Sequence, residues 1–232
     1  MQDKPNILLV HGAWGDASHW RHVIPLLYGK GYRVFAAQNP LISLSDDIDR
    51  TRKLAAAQGA PTLLVGHAYG CAVITGAGLT PNVVGLVYLA GPALDEGESL
   101  RTLLARHESP EGFENVYEDK DGWLWIKPDK FHETFCHDLP DGPDSLVWAL
   151  TQKPTSPRCF EETMGPPAWK VKPSWYQISA NDRLIRPKTE IWMAERMNAR
   201  KTITLPASHA SVATHPVEIV ELIEEASREV VR

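Results

Sequence analysis

The stretch TLLVGHAYGCAVITG, residues 62–76, joins a short apolar run to an apolar, helix-like segment through the turn Gly66-His67-Ala68-Tyr69-Gly70. A short run of apolar and β-branched residues without polar alternation is typical of a strand that is buried on both faces of a sheet. Glycine allows the backbone to turn sharply at small steric cost. The stretch therefore predicts a strand, a tight turn and a helix in direct succession.

The same alternation of short apolar runs with longer amphipathic segments extends over most of the chain. It predicts an α/β fold, with a mostly parallel six-stranded sheet and helices on both faces. The predicted strands, all expected to be buried on both faces, are Ile7–Val10, Tyr32–Ala36, Thr62–Val65, Val83–Leu89, Ser174–Ser179 and Thr202–Leu205. The predicted helices include Ser18–Lys30, Ser45–Gln58, Pro187–Met197 and Pro216–Val230. In the second of these helices, Asp46 and Asp47 lie in the first turn, where carboxylates favour the helix dipole.

The alternation stops between Pro92 and Lys172. This segment of about eighty residues is rich in Pro, Trp, His and acidic residues, with weakly helical pieces and no clear strand. Bare loops of that length are uncommon in compact domains, which favours a helical cap over a site. The sequence thus predicts one domain, with its core at 1–91 and 173–232 and a cap insertion at about 92–172. Trp123 and Trp125 are expected in the core of this cap, with an aromatic pocket wall as the alternative.

Composition excludes several classes of protein. The chain has 232 residues, of which 43% are hydrophobic and 23% charged, as in globular proteins. Its net charge of −5, without a long run of either sign, argues against nucleic acid or a polybasic membrane surface as a partner. Three scattered cysteines are too few for a disulfide framework and indicate a reducing compartment. No apolar run is long enough for a signal-peptide core or a spanning helix, so we expect a cytoplasmic protein.

The turns after the predicted strands are the places to look for a site. In open α/β sheets, ligands bind beyond the carboxyl ends of the strands. Four such turns carry glycines or polar side chains: 11–15, 66–70, 179–182 and 206–210. In the first of them, glycines leave backbone amides free to point at a ligand oxygen.

These four turns resemble those of the α/β-hydrolases. A strand, a Gly-x-nucleophile-x-Gly turn and a helix form that family's nucleophile elbow, and its order of nucleophile, acid and histidine is matched by Ala68, Asp182 and His209. The His-Gly-Ala-Trp opening and the Gly-His-x-Tyr-Gly elbow are similar to those of small bacterial esterases and of the plant methyl-ester esterase and hydroxynitrile lyase branch. The resemblance covers nearly the whole chain. It implies an α/β-hydrolase fold, a small-molecule ester or related acyl substrate, and no cofactor.

The resemblance also implies a role for each residue of the site. A serine at position 68 would attack the carbonyl, and His209 would take its proton and pass it to the leaving group, while Asp182 fixes the imidazole tautomer. The oxyanion would lie between the backbone amides of Ala13 and Tyr69. Trp14, next to this turn, is expected to contact the substrate.

Two alternatives concern the acid. Asp182 could instead cap the helix that begins near Pro187, a common use of Asp. Asp95 follows the fourth predicted strand, where some relatives keep the acid, and is the other candidate for that role.

Ala68 departs from the family pattern, because a methyl group can neither attack a carbonyl nor be deprotonated. Three interpretations stay open. The chain is a serine-to-alanine variant of an active hydrolase, a protein that uses His209 and Asp182 as a general base for lyase or cofactor-free oxygenase chemistry, or a protein that only binds a ligand. The sequence also leaves the physiological substrate and the oligomeric state open, a homodimer included.

Other residues in or near these turns receive structural interpretations. We expect His67 to pack beside the elbow, Cys71 to be a small buried thiol, and His11 to organise the first turn through hydrogen bonds. In the insertion, His132 and His137 are five residues apart, so they do not share a helical face as a zinc pair would. No metal site is predicted.

Overall fold

The computed structural model describes residues 4–106, 108–140 and 142–231. Its main sheet has six parallel strands, which are β1 (Asn6–Val10), β2 (Val34–Ala36), β3 (Thr62–His67), β4 (Val83–Leu89), β7 (Ser174–Ser179) and β8 (Lys201–Leu205). Their spatial order is β2-β1-β3-β4-β7-β8. The strand β3 is therefore central, with β1 on one side and β4 and β7 on the other. The α/β fold with a six-stranded parallel sheet is confirmed.

The predicted burial of the strands is wrong at the two edges of the sheet. Residues of β2 are half-buried, and β8 is mostly exposed until Leu205. Both strands lie at an edge, where the flanking helices cover less of each face. The inner strands β1, β3 and β7 are buried throughout.

Ten α-helices occur in the described residues. They are α1 (Ile24–Gly29), α2 (Leu44–Ala57), α3 (Tyr69–Ala77), α4 (Leu100–Leu104), α5 (Phe131–Phe135), α6 (Pro143–Leu150), α7 (Arg158–Glu161), α8 (Pro187–Arg196), α9 (Ser211–Thr214) and α10 (Pro216–Val230). Four short 3-10 helices cover Ala17–Trp20, Glu111–Asn115, Pro128–Lys130 and Ala168–Lys170. None of the helices in the described ranges is long and apolar enough to cross a membrane.

Local sequence explains where two of the helices begin. The predicted helix Ser18–Lys30 is divided into a 3-10 turn and α1, because Pro25 is tolerated only in the first turn of a helix. The helix α2 is capped by Ser43, two residues before the predicted start at Ser45. The Ser43 hydroxyl accepts a hydrogen bond from the backbone amide of Asp46 at 3.0 Å, which satisfies a free donor of the first turn.

The hydrophobic core has two layers, one on each face of the sheet. Alternate residues of β1 belong to different layers, as the two-residue period of a strand requires. Ile7 and Leu9 pack with residues of α1 and α10, whereas Leu8 and Val10 pack with residues of α2, α3 and α8. The insertion adds its own aromatic residues to this second layer.

The segment between β4 and β7 contains four of the α-helices and a small antiparallel hairpin, β5 (Val116–Glu118) with β6 (Leu124–Ile126). The expectation that this segment has no strand is therefore wrong. Asp119 organises the hairpin loop, since its carboxylate accepts hydrogen bonds from the amides of Asp121 and Trp123 and from the Trp125 indole. Trp123 and Trp125 are half-buried, so the prediction that they form a core is also wrong.

Candidate active site

The elbow residue Ala68 has a strained backbone. It lies between the last residue of β3 and the first residue of α3, with φ 51° and ψ −130°. Positive φ is uncommon for a residue other than glycine and is often found at functional sites. Two backbone hydrogen bonds hold this conformation, from the Ala68 amide to the Leu89 carbonyl at 3.0 Å and from the Cys71 amide to the Ala68 carbonyl at 2.9 Å.

Two glycines allow the first turn and the elbow to touch. A Cβ atom on Gly70 would lie 2.2 Å from the Val10 carbonyl oxygen, and a Cβ on Gly12 would lie 2.7 Å from the Cβ of Ala68. Either side chain would separate the two turns. The two glycines therefore allow the backbones of the first turn and the elbow to approach closely.

Ala13 and Tyr69 both line the pocket beside Ala68. Within the described ranges, neither of their backbone amides donates a hydrogen bond. The Tyr69 amide is the first of α3, where an N–H has no acceptor inside the helix and the helix dipole favours negative charge. The neighbouring Trp14 amide is not available to a ligand in the same way, because it donates to the Thr155 hydroxyl at 3.0 Å.

His209 and Asp182 form a buried pair on the other side of Ala68. The His209 Nδ1 atom lies 2.6 Å from the Asp182 Oδ2 atom, and the two side chains are 4% and 0% exposed. The second carboxylate oxygen accepts the amides of Leu184 at 2.7 Å and Ile185 at 2.9 Å. These donors match the acceptor oxygens of a carboxylate, and the contact with Asp182 fixes the imidazole with its proton on Nδ1. The Nε2 atom is left free as a base, and the His209 side chain lines the pocket.

The two alternatives for the acid are not supported by the contacts. Asp182 does not cap α8, since the amides that it accepts precede that helix. Asp95 is 30% exposed and forms an ion pair with Lys170. Of the two aspartates, Asp182 is the one that contacts His209.

His67 anchors the main chain of His209. Its Nε2–H donates to the His209 carbonyl at 2.7 Å, and the two rings lie 5.2 Å apart. Burial lowers the pKa of His67 to about 3, so it is neutral at physiological pH. The predicted packing role beside the elbow is confirmed, with this hydrogen bond in addition.

A narrow pocket lies over Ala68, with a cavity volume of about 30 Å³. Its lining is aliphatic or aromatic apart from His209, and it comes from the turns after β1, β3, β7 and β8, from the first residue of α3 and from the insertion. The lining residues are Ala13, Trp14, Ala68, Tyr69, Leu100, Leu104, Phe113, Phe160, Leu184, Ile185 and His209. Such a pocket suits a ligand whose larger groups are apolar.

The fold described above agrees with comparisons to known proteins. The model of the alpha/beta hydrolase family matches residues 7–222. This chain belongs to that family. The alpha/beta hydrolase nvfD of Aspergillus novofumigatus (strain IBT 16806) is 26% identical over 250 residues, which is 98% of each chain. A carbendazim hydrolyzing esterase of Nocardioides sp. (strain SG-4G) is 32% identical over 120 residues, 46% of this chain and 50% of that protein.

Solved structures with the same fold include enzymes. A pyrethroid hydrolase from Sphingobium faniae JZ-2 has a TM-score of 0.81 at 21% identity, with 97% of both chains covered. Polyneuridine aldehyde esterase has a TM-score of 0.81 at 14% identity, with 97% of this chain and 100% of that chain covered. At these identities the likeness shows the fold alone.

The first turn of this α/β-hydrolase is organised by a neutral histidine. His11 donates from Nδ1 to the Gly12 carbonyl at 2.8 Å and accepts the Asn39 amide on Nε2 at 3.1 Å. Burial lowers the pKa of His11 to about 4, which keeps Nε2 available as an acceptor. These bonds confirm the prediction for His11. Cys71 is also fully buried, as predicted.

The roles of two buried carboxyl groups near the site were not predicted from the sequence. Asp47 accepts the Tyr69 hydroxyl at 2.8 Å and the Leu41 amide at 3.1 Å. Glu190, on α8, accepts the Ser179 amide at 2.9 Å. Each lies in the first turn of a helix, where a carboxylate is common. Their complete burial distinguishes them from ordinary first-turn carboxylates. The sequence shows burial only indirectly.

The histidines of the insertion bind backbone groups. His132 contacts the Leu139 carbonyl at 2.9 Å and His137 contacts the Asn181 carbonyl at 3.0 Å. Within the described ranges, no three His, Cys, Asp or Glu side chains come together in a group that could hold a metal ion.

Proposed function

We propose that this α/β-hydrolase has the site of a carboxylic ester hydrolase, in which Ala68 occupies the position of the nucleophilic serine. The observation that carries the proposal is the conformation of Ala68 beside the His209–Asp182 pair. A non-glycine residue at such φ and ψ costs of order 1–3 kcal/mol, whereas glycine would adopt positive φ freely. A site that only bound ligands would not require this strained backbone conformation. Truncation of a serine to alanine leaves this backbone in place and removes the attacking oxygen.

A serine at position 68 would complete a Ser-His-Asp catalytic triad. Its Oγ would attack the acyl carbonyl while His209 Nε2 takes the hydroxyl proton, and Asp182 would stabilise the imidazolium. The oxyanion would accept the amides of Ala13 and Tyr69, each worth about 3 kcal/mol in the transition state. His209 would return the proton to the departing alkoxide, and water would then release the acid by the same steps.

The pocket supports a small or medium, mostly apolar acid or alcohol as the substrate. Aromatic and aliphatic residues line most of the pocket around Ala68, together with His209. The names of similar proteins, a carbendazim hydrolyzing esterase among them, point to the same class of reaction. With Ala68 in place, the chain would bind such a substrate without forming an acyl-enzyme.

Hydrolysis of p-nitrophenyl acetate and butyrate by the chain and by its Ala68→Ser variant tests the proposal. We expect the serine variant to gain at least about 10³-fold in kcat/KM at neutral pH. Ala68→Gly is the matched control, because it relieves the strain without supplying a nucleophile, and it should stay inert. A serine variant that is folded yet as inert as the alanine chain would show that ester hydrolysis is the wrong reaction.

A second candidate function follows from Ala68 itself. The chain as it stands has a base, His209, without a nucleophile, facing an apolar pocket. It could abstract a proton from an acidic C–H or O–H substrate, as in lyase or cofactor-free oxygenase chemistry. Turnover of such a substrate by the alanine chain, lost in His209→Gln and unchanged in Ala68→Ser, would favour this candidate.

A further inference from the structure

A second carboxyl group lies behind the acid of the site. Glu190 is completely buried on α8, and its Oε2 atom accepts the Ser179 amide at 2.9 Å. Its Oε1 atom has no donor to accept among the described residues. The Asp182 amide donates to the carbonyl of the same Ser179 at 3.2 Å, and the carboxyl groups of Asp182 and Glu190 interact with each other, so two acids meet in the interior.

Among the described residues, the titratable groups that interact with Glu190 supply no positive charge. The titratable groups that face Glu190 are Asp182 from the loop before α8, the Tyr176 hydroxyl on β7 and the Cys71 thiol on α3. None of these groups is a cation. Burial strongly disfavours a second unpaired carboxylate beside the first, and the usual outcome is that one of the two keeps a proton.

The hydrogen bonds decide which of the two acids carries that proton. Asp182 accepts two backbone amides and the His209 Nδ1–H, three donors that favour its ionised form. Glu190 accepts a single amide, and its other oxygen is free to bear a proton. Burial, followed by the charge of Asp182, raises the pKa of Glu190 well above its usual value.

We propose that Glu190 is protonated at neutral pH and donates a hydrogen bond to the Asp182 carboxylate, which makes it a positioning residue for the His209–Asp182 pair. This hydrogen bond adds a fourth donor to the Asp182 carboxylate and holds its side chain in place. It also reduces the negative charge on the Asp182 oxygen atoms that interact with His209. The catalytic consequence rests on the proposed ester hydrolysis, but the hydrogen bond itself does not.

Unfolding equilibria of the chain and of Glu190→Gln test the protonation without any need for activity. The glutamine carbonyl can accept the Ser179 amide and its NH₂ can donate to Asp182, so it is matched to a neutral glutamic acid. In the unfolded chain, Glu190 ionises near pH 4.3, whereas in the folded chain it keeps its proton. Stability supplied by the protonated acid is therefore lost as pH rises from that value toward the folded pKa.

The expected result is a gain in stability for Glu190→Gln that grows with pH. Between pH 5 and 8, the ratio of the two unfolding constants should change by about tenfold per pH unit in favour of the variant. A ratio that stays constant over this range would mean that Glu190 is ionised in the folded protein and would overturn the proposal.

NMR of the proton between His209 Nδ1 and Asp182 tests the hydrogen bond in the same alanine chain. Glu190→Met has a similar size but no donor, so Asp182 becomes more basic and the resonance should move to lower field. Glu190→Gln should keep it near its original position. An unmoved resonance in a folded Met variant would show that Glu190 does not bond Asp182. If that variant fails to fold, the pH series of Glu190→Gln still decides the protonation.

Neither measurement uses catalysis. A failure of the Glu190 proposal is therefore distinguishable from a failure of the proposed function, which only Ala68→Ser tests.

Discussion

The two sides of the site are each held by a buried aspartate, and the two aspartates differ in what they contact. On the histidine side, Asp182 contacts the His209 ring directly at 2.6 Å. On the side of the proposed oxyanion hole, Asp47 contacts the Tyr69 hydroxyl at 2.8 Å, and Tyr69 lines the pocket beside Ala68. One carboxylate acts on the proposed base, and the other acts on a residue of the proposed oxyanion hole.

The two aspartates also differ in the number of their hydrogen-bond donors. Asp182 has three hydrogen-bond donors, whereas Asp47 has the Tyr69 hydroxyl and one amide. Burial raises the pKa of Asp47 to about 6, although both of its hydrogen bonds act in the opposite direction. An anchor for the backbone works in either charge state, because a protonated carboxyl group can still bond a hydroxyl. The acid of a catalytic pair has to remain ionised.

The largest effect is expected from Asp182→Asn in the Ala68→Ser background. The amide NH₂ would donate to Nδ1 and move the imidazole proton to Nε2, where it blocks proton abstraction from the serine. The change should lower kcat by about 10⁴-fold with little loss of fold, as for the corresponding change in other hydrolase triads. Steady-state kinetics with a p-nitrophenyl ester measure it.

Asp95→Asn is the matched control for that prediction. The Asp95 carboxylate is partly exposed and pairs with Lys170, so its loss should alter activity by less than about twofold. Equal losses in the two variants would contradict the identification of Asp182 as the acid.

An intermediate effect is expected in the pH dependence of Asp47→Asn. Unfolded Asp ionises near pH 3.9 and folded Asp47 near pH 6, so the aspartate costs stability as pH rises through this window. Relative to the parent chain, the variant should gain about 1.4 kcal/mol of unfolding free energy per pH unit between about pH 4 and 6, and nothing further above that. Urea unfolding across this range measures the gain. A flat difference would show that Asp47 titrates normally.

The sheet and the turns are predictable because their signals are local. An apolar run of four to seven residues identifies a buried strand, and the turn after it needs glycine or a polar side chain. His209 and Asp182 are 27 positions apart, yet they meet because β7 and β8 are parallel neighbours that end at the same edge. Strand order and the family pattern are sufficient to bring them together.

The supporting residues are not predictable in this way. Asp47 and Glu190 each occupy the first turn of an amphipathic helix, where an acidic side chain normally faces water and favours the dipole. Their roles depend on which helix face is buried against the site, which is a tertiary property. The hairpin of the insertion is missed for a different reason, since three-residue strands such as Val116–Glu118 are too short to show alternation.

The smallest effect is expected from Tyr69→Phe, which removes the hydroxyl from the oxyanion side and leaves the ring. The ring still stacks on Phe160, with centroids 6.3 Å apart, so the pocket wall persists. Loss of one buried hydrogen bond to a carboxyl group should cost about 1–3 kcal/mol of stability. In the Ala68→Ser background, kcat should fall by about tenfold or less, because the Tyr69 amide is held less firmly but the proton path through His209 is intact. Urea unfolding and ester kinetics on the same samples separate the two quantities. A loss approaching that of Asp182→Asn would mean that the Asp47–Tyr69 pair takes part in proton transfer, and the contrast between an anchoring and a proton-handling carboxylate would then be wrong.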